Sequence, residues 1–65
     1  KFDKFLMFVG CVFVRQEGDH RIYKRAGLRR PIVIPQVSNI PAFIVRNNLR
    51  LLGMTPDQFL EYLKR

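Results

Sequence analysis

The sequence contains one imidazole, that of His20, which directly follows Asp19 and is surrounded by basic residues. An imidazole has an unperturbed pKa of about 6.5, so it can accept and return a proton near neutral pH. RNA cleavage without a metal needs a base for the 2′-hydroxyl, an acid for the leaving oxygen and cations for the phosphate. His20 could perform one proton transfer. The other would fall to Tyr23, Lys24, water or a second subunit, and the residues alone leave that role open.

Basic side chains close to His20 in the sequence could supply the cations. We expect Arg15 across a hairpin from His20, where it could stabilise charge on the phosphorane, and an ion pair with Glu17 or Asp19 is an equal alternative. The other candidates for binding phosphates beside the cut are Arg21, Lys24, Arg25, Arg29 and Arg30. Any one of them could instead be only solvated.

The overall charge favours a polyanionic partner. Twelve Lys and Arg against five Asp and Glu give a formal net charge of +7 in 65 residues, and the sequence pI is near 10.6. Nucleic acid is the first candidate, because phosphate neutralisation drives its binding. An acidic protein or an anionic membrane surface would also fit this charge.

Cysteine usage and hydropathy exclude several other classes. Cys11 is the only cysteine, so no intrachain disulfide is possible, and no cluster of zinc ligands is present. We therefore expect no metal and no cofactor, and a reducing cytoplasm as the location. No apolar run approaches the roughly 18 residues that span a bilayer, and no secretory signal pattern appears, so we expect neither secretion nor membrane insertion.

The first predicted element is a short amphipathic helix that ends at Gly10. Its apolar residues recur at helical spacing: Phe2, Phe5, Leu6 and Val9. Because this period is already running at Lys1, we expect further helix residues before it. A β-hairpin should follow, since residues 11–15 and 20–25 have strand-like composition and flank a turn at 16–19.

Side chains alternate between the two faces of a strand. Cys11 and Phe13 should therefore share a face in the first strand. The second strand should separate His20 and Ile22 from Arg21, Tyr23 and Arg25. Alternation does not reveal which face the helices cover.

The C-terminal half predicts one more strand and two helices. Residues 30–35 contain an Ile-Val-Ile run between prolines, which indicates a third antiparallel strand. Pro41 suits the first position of a helix. That helix should bury the stripe Val45, Leu49 and Leu52 and expose Arg46, Asn47 and Arg50.

A second helix boundary is marked by Gly53 and by the capping box of residues 55–58. In the last helix the residues expected to pack on the core are Phe59, Leu60 and Leu63. The predicted order is α-β-β-β-α-α. We expect residues 1–65 to form one small α+β domain, with a three-stranded antiparallel sheet packed on helices.

Residues 10–23 read Gly-Cys-Val-Phe-Val-Arg-Gln-Glu-Gly-Asp-His-Arg-Ile-Tyr. This stretch resembles the HicA toxin family, whose pattern is a Gly-Phe start, an Arg, and Gly-Ser-His entering a strand. Residues 33–35 resemble the Val-Pro pair that ends the third strand of the family. Residues 46–53 followed by Thr55 resemble its Leu-Arg-x-Ile-Leu-Arg-x-x-Gly-Ile-Ser helix and turn.

The resemblance implies a double-stranded-RNA-binding-like fold, messenger-RNA cleavage by a histidine on the second strand, and neutralisation by an antitoxin called HicB. We therefore expect a type II toxin, a metal-independent endoribonuclease with His20 as its general acid/base, and RNA and a HicB-like protein as partners. The sequence departs from the family pattern at three places: Asp19 replaces Ser, Val37 replaces a His, and Phe43-Ile44 replaces Gly-Thr.

Alternative interpretations remain at the level of sequence. The domain could bind RNA without cleaving it, or its basic surface could serve only to bind an acidic protein. Without the resemblance, composition favours the interpretation of His20 as a polar residue at a hairpin exit with no function. Arg46 and Arg50 could extend an RNA track, contact an antitoxin or, as is more common for such residues, be only solvated. Tyr23 could stack on a base or pack in the core, and Cys11 should be an inert core residue.

Overall fold

The computed structural model describes residues 2–65, so the expected continuation of the first helix before Lys1 lies outside the described residues. Within them the chain forms six elements: α1 (Phe2–Phe8), β1 (Val12–Glu17), β2 (His20–Lys24), β3 (Ile32–Pro35), α2 (Ala42–Leu52) and α3 (Pro56–Leu63). The strands form an antiparallel sheet in the order β1-β2-β3. This arrangement confirms the predicted α+β class and element order. No helix in residues 2–65 has the length and apolar character to cross a membrane.

α1 packs on the sheet through the stripe predicted from its spacing, with Phe2, Phe5 and Leu6 buried. Gly10 then takes a φ of +96°, a left-handed conformation that a side chain would strain. The turn is closed by a bond from the Cys11 amide to the Leu6 carbonyl, 2.9 Å long. The chain therefore passes from α1 into β1 within three residues.

The β1–β2 hairpin is longer than predicted, because β1 continues to Glu17. Residues 16 and 17 pair with Arg21 and His20, which leaves only Gly18 and Asp19 in the turn. Gly18 has a φ of +61°, as the first residue of a type II′ turn requires. The register shifts between Phe13 and Arg15, so the strand carries a β-bulge there.

The sheet has two unlike faces, because paired residues on neighbouring strands point to the same side. The helix face consists of Phe13, Gln16, Arg21, Tyr23, Ile32 and Ile34. The open face consists of Val12, Arg15, Glu17, His20, Ile22, Lys24, Val33 and Pro35. The core lies between the helix face and the helices, where Tyr23, Ile32 and Ile34 join Phe5, Leu6 and Leu49. The predicted separation of His20 and Ile22 from Arg21 and Tyr23 is therefore confirmed.

α2 lies beside β3 and buries Leu49 and Leu52, with Val45 partly buried, as predicted. Pro41 occupies the position just before the helix rather than its first turn. Gly53, with a φ of +74°, ends α2. The predicted capping box is present, since the Thr55 amide donates to Gln58 Oε1 over 2.8 Å and the Gln58 amide donates back to Thr55 Oγ1 over 3.3 Å.

α3 packs differently from the prediction. Leu60 and Leu63 are 52% and 42% exposed, so the expectation that they fill the core was wrong. Phe59 and Tyr62, three residues apart on the neighbouring stripe, pack edge-on against Phe5 with ring centroids 4.9 and 5.2 Å away. These aromatic rings determine which side of α3 faces the core, because edge-on ring pairs stabilise packing by more than the burial of their surface alone.

Candidate active site

His20 begins β2 at the tip of the hairpin and lies on the open face. Its side chain is 55% exposed, and its Nδ1 is 3.4 Å from Oδ1 of Asp19. Adjacent strand residues would point apart, but Asp19 belongs to the turn, so the two side chains approach each other. A carboxylate that faces Nδ1 favours the tautomer in which Nε2 is the basic nitrogen. The imidazole is thus accessible to a ligand and has a partner that orients it.

The hairpin tip is tied to the end of β3. The Gln36 amide donates to the Asp19 carbonyl over 2.7 Å, and the Gln16 side-chain amide donates to the Gly18 carbonyl over 3.0 Å. The same Gln16 group also donates to Oε1 of Gln36 over 2.6 Å. Sequence reasoning missed both glutamines, because nothing local marks a contact between residues 20 positions apart.

A groove beside His20 runs between β3 and α2. Its lining residues are His20, Val33, Pro35, Ile44, Asn47 and Asn48. The Asn48 amide nitrogen donates to the Ile44 carbonyl over 3.0 Å, which fixes the plane of this side chain. The sequence placed Asn47 on the outer side of α2 and gave no role to Asn48, since the approach of α2 to β3 is a tertiary contact.

A second groove is lined by three guanidinium groups. It contains Arg29 and Arg30 from the loop before β3, Arg50 from α2, and Asn47 and Leu51. Among residues 2–65 no acidic side chain forms an ion pair with any of these arginines. Asn47 lines both grooves, so the arginine groove and the groove beside His20 are neighbours. Of the predicted phosphate ligands, Arg29 and Arg30 are therefore exposed and close together, and Arg50 joins them.

The remaining basic candidates divide between the two faces. Lys24 is exposed on the open face, and Arg15 on the same face is ion-paired with Glu17, one of the two alternatives left by the sequence. Arg21 lies on the helix face, where its Nε is 3.0 Å from Oδ2 of Asp3.

Arg25 is also engaged within the protein. It is half-buried, and its guanidinium donates to the Val9 carbonyl over 3.0 Å. The structure thus places Arg21 and Arg25 away from His20 and in internal contacts. It leaves Lys24, Arg29 and Arg30 free of such contacts within the described residues.

Tyr23 and Lys24, the two side chains considered for the second proton transfer, do not join His20. Tyr23 is 1% exposed on the helix face, and its hydroxyl donates to Oδ2 of Asp3 over 3.0 Å. Burial is the main reason why the pKa of Tyr23 is raised. Lys24 shares the open face but lies four residues along the strand, about 13 Å away. Water or a second subunit therefore remains for this role.

Two further expectations concern Cys11 and metals. Cys11 is buried, and this burial raises the pKa of its thiol, which disfavours the reactive thiolate. In the described part of the chain no three His, Cys, Asp or Glu side chains are grouped closely enough to hold a metal ion.

Comparison with known proteins identifies a family. The family model described as the HicA toxin of bacterial toxin–antitoxin systems matches residues 1–54. The match includes the sheet, α1, α2 and the residues of both grooves, and α3 follows it. No curated protein and no solved structure gives a significant match. Because the family model covers most of the 65 residues, the chain belongs to the HicA family of toxins from bacterial toxin–antitoxin systems.

Proposed function

We propose that this toxin is a metal-independent endoribonuclease that cleaves messenger RNA at a site centred on His20. The observation that carries the proposal is the exposed His20 imidazole, which lines a groove next to one lined by three arginines in a chain of the HicA family. The net charge of +7 supports the choice of RNA, because it attracts a polyanion to this surface.

In the proposed reaction Nε2 of His20 accepts the proton of a ribose 2′-hydroxyl. The 2′-oxygen then forms a bond to the adjacent phosphorus while the bond from phosphorus to the 5′-oxygen breaks, and a water or a second subunit protonates the leaving oxygen. Asp19, at 3.4 Å from Nδ1, stabilises the imidazolium that forms. A positioned imidazole of this kind contributes roughly 10²- to 10⁴-fold to the rate.

The RNA backbone is proposed to lie along the arginine groove. Arg29, Arg30 and Arg50 can bind phosphate oxygens through paired N–H groups, and Lys24 adds charge on the open face. Arg15 would contribute to phosphorane charge only after its ion pair with Glu17 opens. The proposed binding set leaves out Arg21 and Arg25, because both form contacts within the protein.

The antitoxin partner of this family member is proposed to be HicB-like and to act by occlusion in the cytoplasm. An acidic surface placed over His20 and the arginine groove would block the RNA path and neutralise the same charges. A purified toxin–antitoxin complex that still cleaves RNA would contradict occlusion.

The test of the proposed activity compares the purified chain with its His20→Ala variant on a long unstructured RNA in EDTA, with fragments read on a denaturing gel. We expect fragments from the parent chain only. The Asn39→Ala variant is a matched control, since Asn39 is an exposed polar residue that lines neither groove. Cleavage by the folded His20→Ala variant would remove His20 from the mechanism.

A second candidate function is RNA binding without catalysis. It is favoured by the separation of Tyr23 and Lys24 from His20, which leaves one imidazole to serve a reaction with two proton transfers. This candidate predicts intact RNA in every lane and binding that weakens steeply with added salt.

A further inference from the structure

We propose that the groove between β3 and α2 is a binding site for one unstacked nucleobase of single-stranded RNA, adjacent to His20. This inference rests on the proposed function for its choice of RNA and deepens it, because it names the form of RNA that the site accepts. It concerns residues outside the acid/base chemistry: Val33, Pro35, Ile44, Asn47 and Asn48.

The walls of the groove are suited to a planar ring. Val33 and Pro35 from β3 and Ile44 from α2 provide apolar surface on two sides, and Val33 is 42% exposed without a ligand. The volume is about 330 Å³. This is at the lower end of the roughly 300–1,000 Å³ found for small-molecule sites, as a single base requires. An apolar base face placed there would cover surface that is otherwise in contact with water.

The polar groups of the groove are suited to the edge of a base. The bond from Asn48 to the Ile44 carbonyl uses one N–H of the carboxamide and holds its plane. A second N–H and the oxygen remain for a ligand, and Asn47 presents the same pair of groups on the next residue. A carboxamide can donate to and accept from one base edge at once, which is how such side chains distinguish bases.

The position of the groove connects the base to the backbone. Asn47 also lines the groove of Arg29, Arg30 and Arg50, and His20 lines the base groove itself. A nucleotide whose base enters between β3 and α2 can therefore extend one phosphate toward the arginines and another toward the imidazole. A base within a duplex is stacked and paired, so it cannot enter such a groove without being extruded. The substrate is accordingly single-stranded RNA.

The inference is tested by nuclear magnetic resonance on the full isotope-labelled chain, titrated separately with the four nucleoside 3′-monophosphates. Ribose 5-phosphate and inorganic phosphate are the controls without a base. We expect the side-chain amide signals of Asn47 and Asn48 to shift with the nucleotides, to different extents for different bases. The two controls should leave the Asn48 signal unshifted, whereas Asn47 also lines the arginine groove and can respond to phosphate alone.

Variants sharpen this measurement. Asn47→Ala should weaken nucleotide binding roughly five- to tenfold, the loss of one or two hydrogen bonds to the base. Asn39→Ala should change it less than about twofold, because this matched side chain lies outside the groove. Both substituted residues are exposed, so neither variant removes a core contact.

The outcomes separate this inference from the proposed activity, because binding is measured without cleavage. If the chain cleaves RNA but no nucleotide shifts the two amide signals, the base site is wrong and the nuclease stands. Equal shifts from ribose 5-phosphate and from all four nucleotides would also overturn the base site. Base-dependent shifts in a chain that leaves RNA intact would support the site and reject the nuclease.

Discussion

The helix face and the open face of the sheet draw on the same strand, and they use its side chains differently. On the helix face, Tyr23 and Arg21 of β2 are held by Asp3 of α1. On the open face, His20 at the start of the same strand is exposed and lines a groove. One strand thus supplies part of the core on one side and the proposed catalytic residue on the other.

The contrast is sharpest for the arginines. Arg21 lies with its guanidinium 4.7 Å from the ring centroid of Phe13 and forms an ion pair with Asp3. Arg29 and Arg50 line a groove without an acidic partner in residues 2–65. An ion pair neutralises part of the charge of a guanidinium and uses some of its donors, so position in the fold separates the proposed phosphate ligands from the structural arginine.

The largest expected effect is on the open face. His20→Gln keeps a polar side chain but cannot transfer protons, so RNA cleavage should fall roughly 10²- to 10⁴-fold. The Tm should stay within a few degrees of the parent value, because the imidazole is largely exposed. Initial cleavage rates and a thermal melt measure the two quantities. A large loss of Tm would place His20 among the structural residues.

The matching substitution on the helix face is Tyr23→Phe. It removes the hydroxyl that donates to Asp3, so the free energy of unfolding should fall by about 1.5–3 kcal/mol, as for hydrogen bonds to charged groups. Urea denaturation measures this change. RNA cleavage per folded molecule should persist. Loss of cleavage at unchanged stability would show that Tyr23 on the helix face also serves the reaction.

The stability that the helix face gives to the fold should also decrease at alkaline pH. Since burial raises the pKa of Tyr23 in the folded state, the unfolded chain loses this proton first, at a pKa of about 10. The associated stability is present below that pH and is lost as the pH rises through the folded pKa. The Tyr23→Phe variant lacks this proton, so its stability should fall less steeply above pH ~10. If stability fell equally steeply with pH in the parent chain and in Tyr23→Phe, the effect would not come from Tyr23.

Salt dependence of RNA binding compares arginines of the arginine groove with Arg21 on the helix face. Arg29→Ala with Arg50→Ala should lower the slope of log binding constant against log salt by about 1.4, at about 0.7 per phosphate contact on single strands. Arg21→Ala removes a charge from the helix face and should leave the slope almost unchanged. Fluorescence anisotropy with a labelled RNA measures the salt slope of each variant. A change of slope in Arg21→Ala would show that RNA contacts the helix face, against the proposal.

The smallest effect is expected from Glu17→Gln on the open face. It releases Arg15 from an exposed ion pair, so RNA affinity should rise about two- to fivefold, in line with the energy of surface pairs. The same anisotropy assay detects this gain. Unchanged affinity would show that Arg15 does not contact RNA.

Local patterns predicted most of the fold. The capping box at Thr55 and Gln58, the left-handed glycine at Gly53 and the alternation along β2 each depend on residues a few positions apart. The prediction that Leu60 and Leu63 pack on the core was wrong, because helical spacing identifies two adjacent apolar stripes on α3. Only tertiary contact with Phe5 selects the stripe of Phe59 and Tyr62.

The site was predictable only in part for the same reason. The position of His20 and the exposed basic loop of Arg29 and Arg30 are visible in the sequence. The groove formed with Asn47 exists only because α2 lies against β3. The ion pair that engages Arg21 exists only because α1 brings Asp3 to the helix face of the sheet. Contacts between distant segments carry no local signature.

The tied hairpin tip has a consequence for dosage in the cell. Gln16 and Gln36 hold the segment next to His20 in place before any substrate arrives, so binding RNA there requires little ordering of the backbone. Under the proposed function, each folded copy is competent as soon as it is free, and damage scales with the number of unbound copies. On the same proposal control would depend on stoichiometry: the antitoxin would have to be kept in excess, and a short-lived shortage of it would be sufficient to release activity.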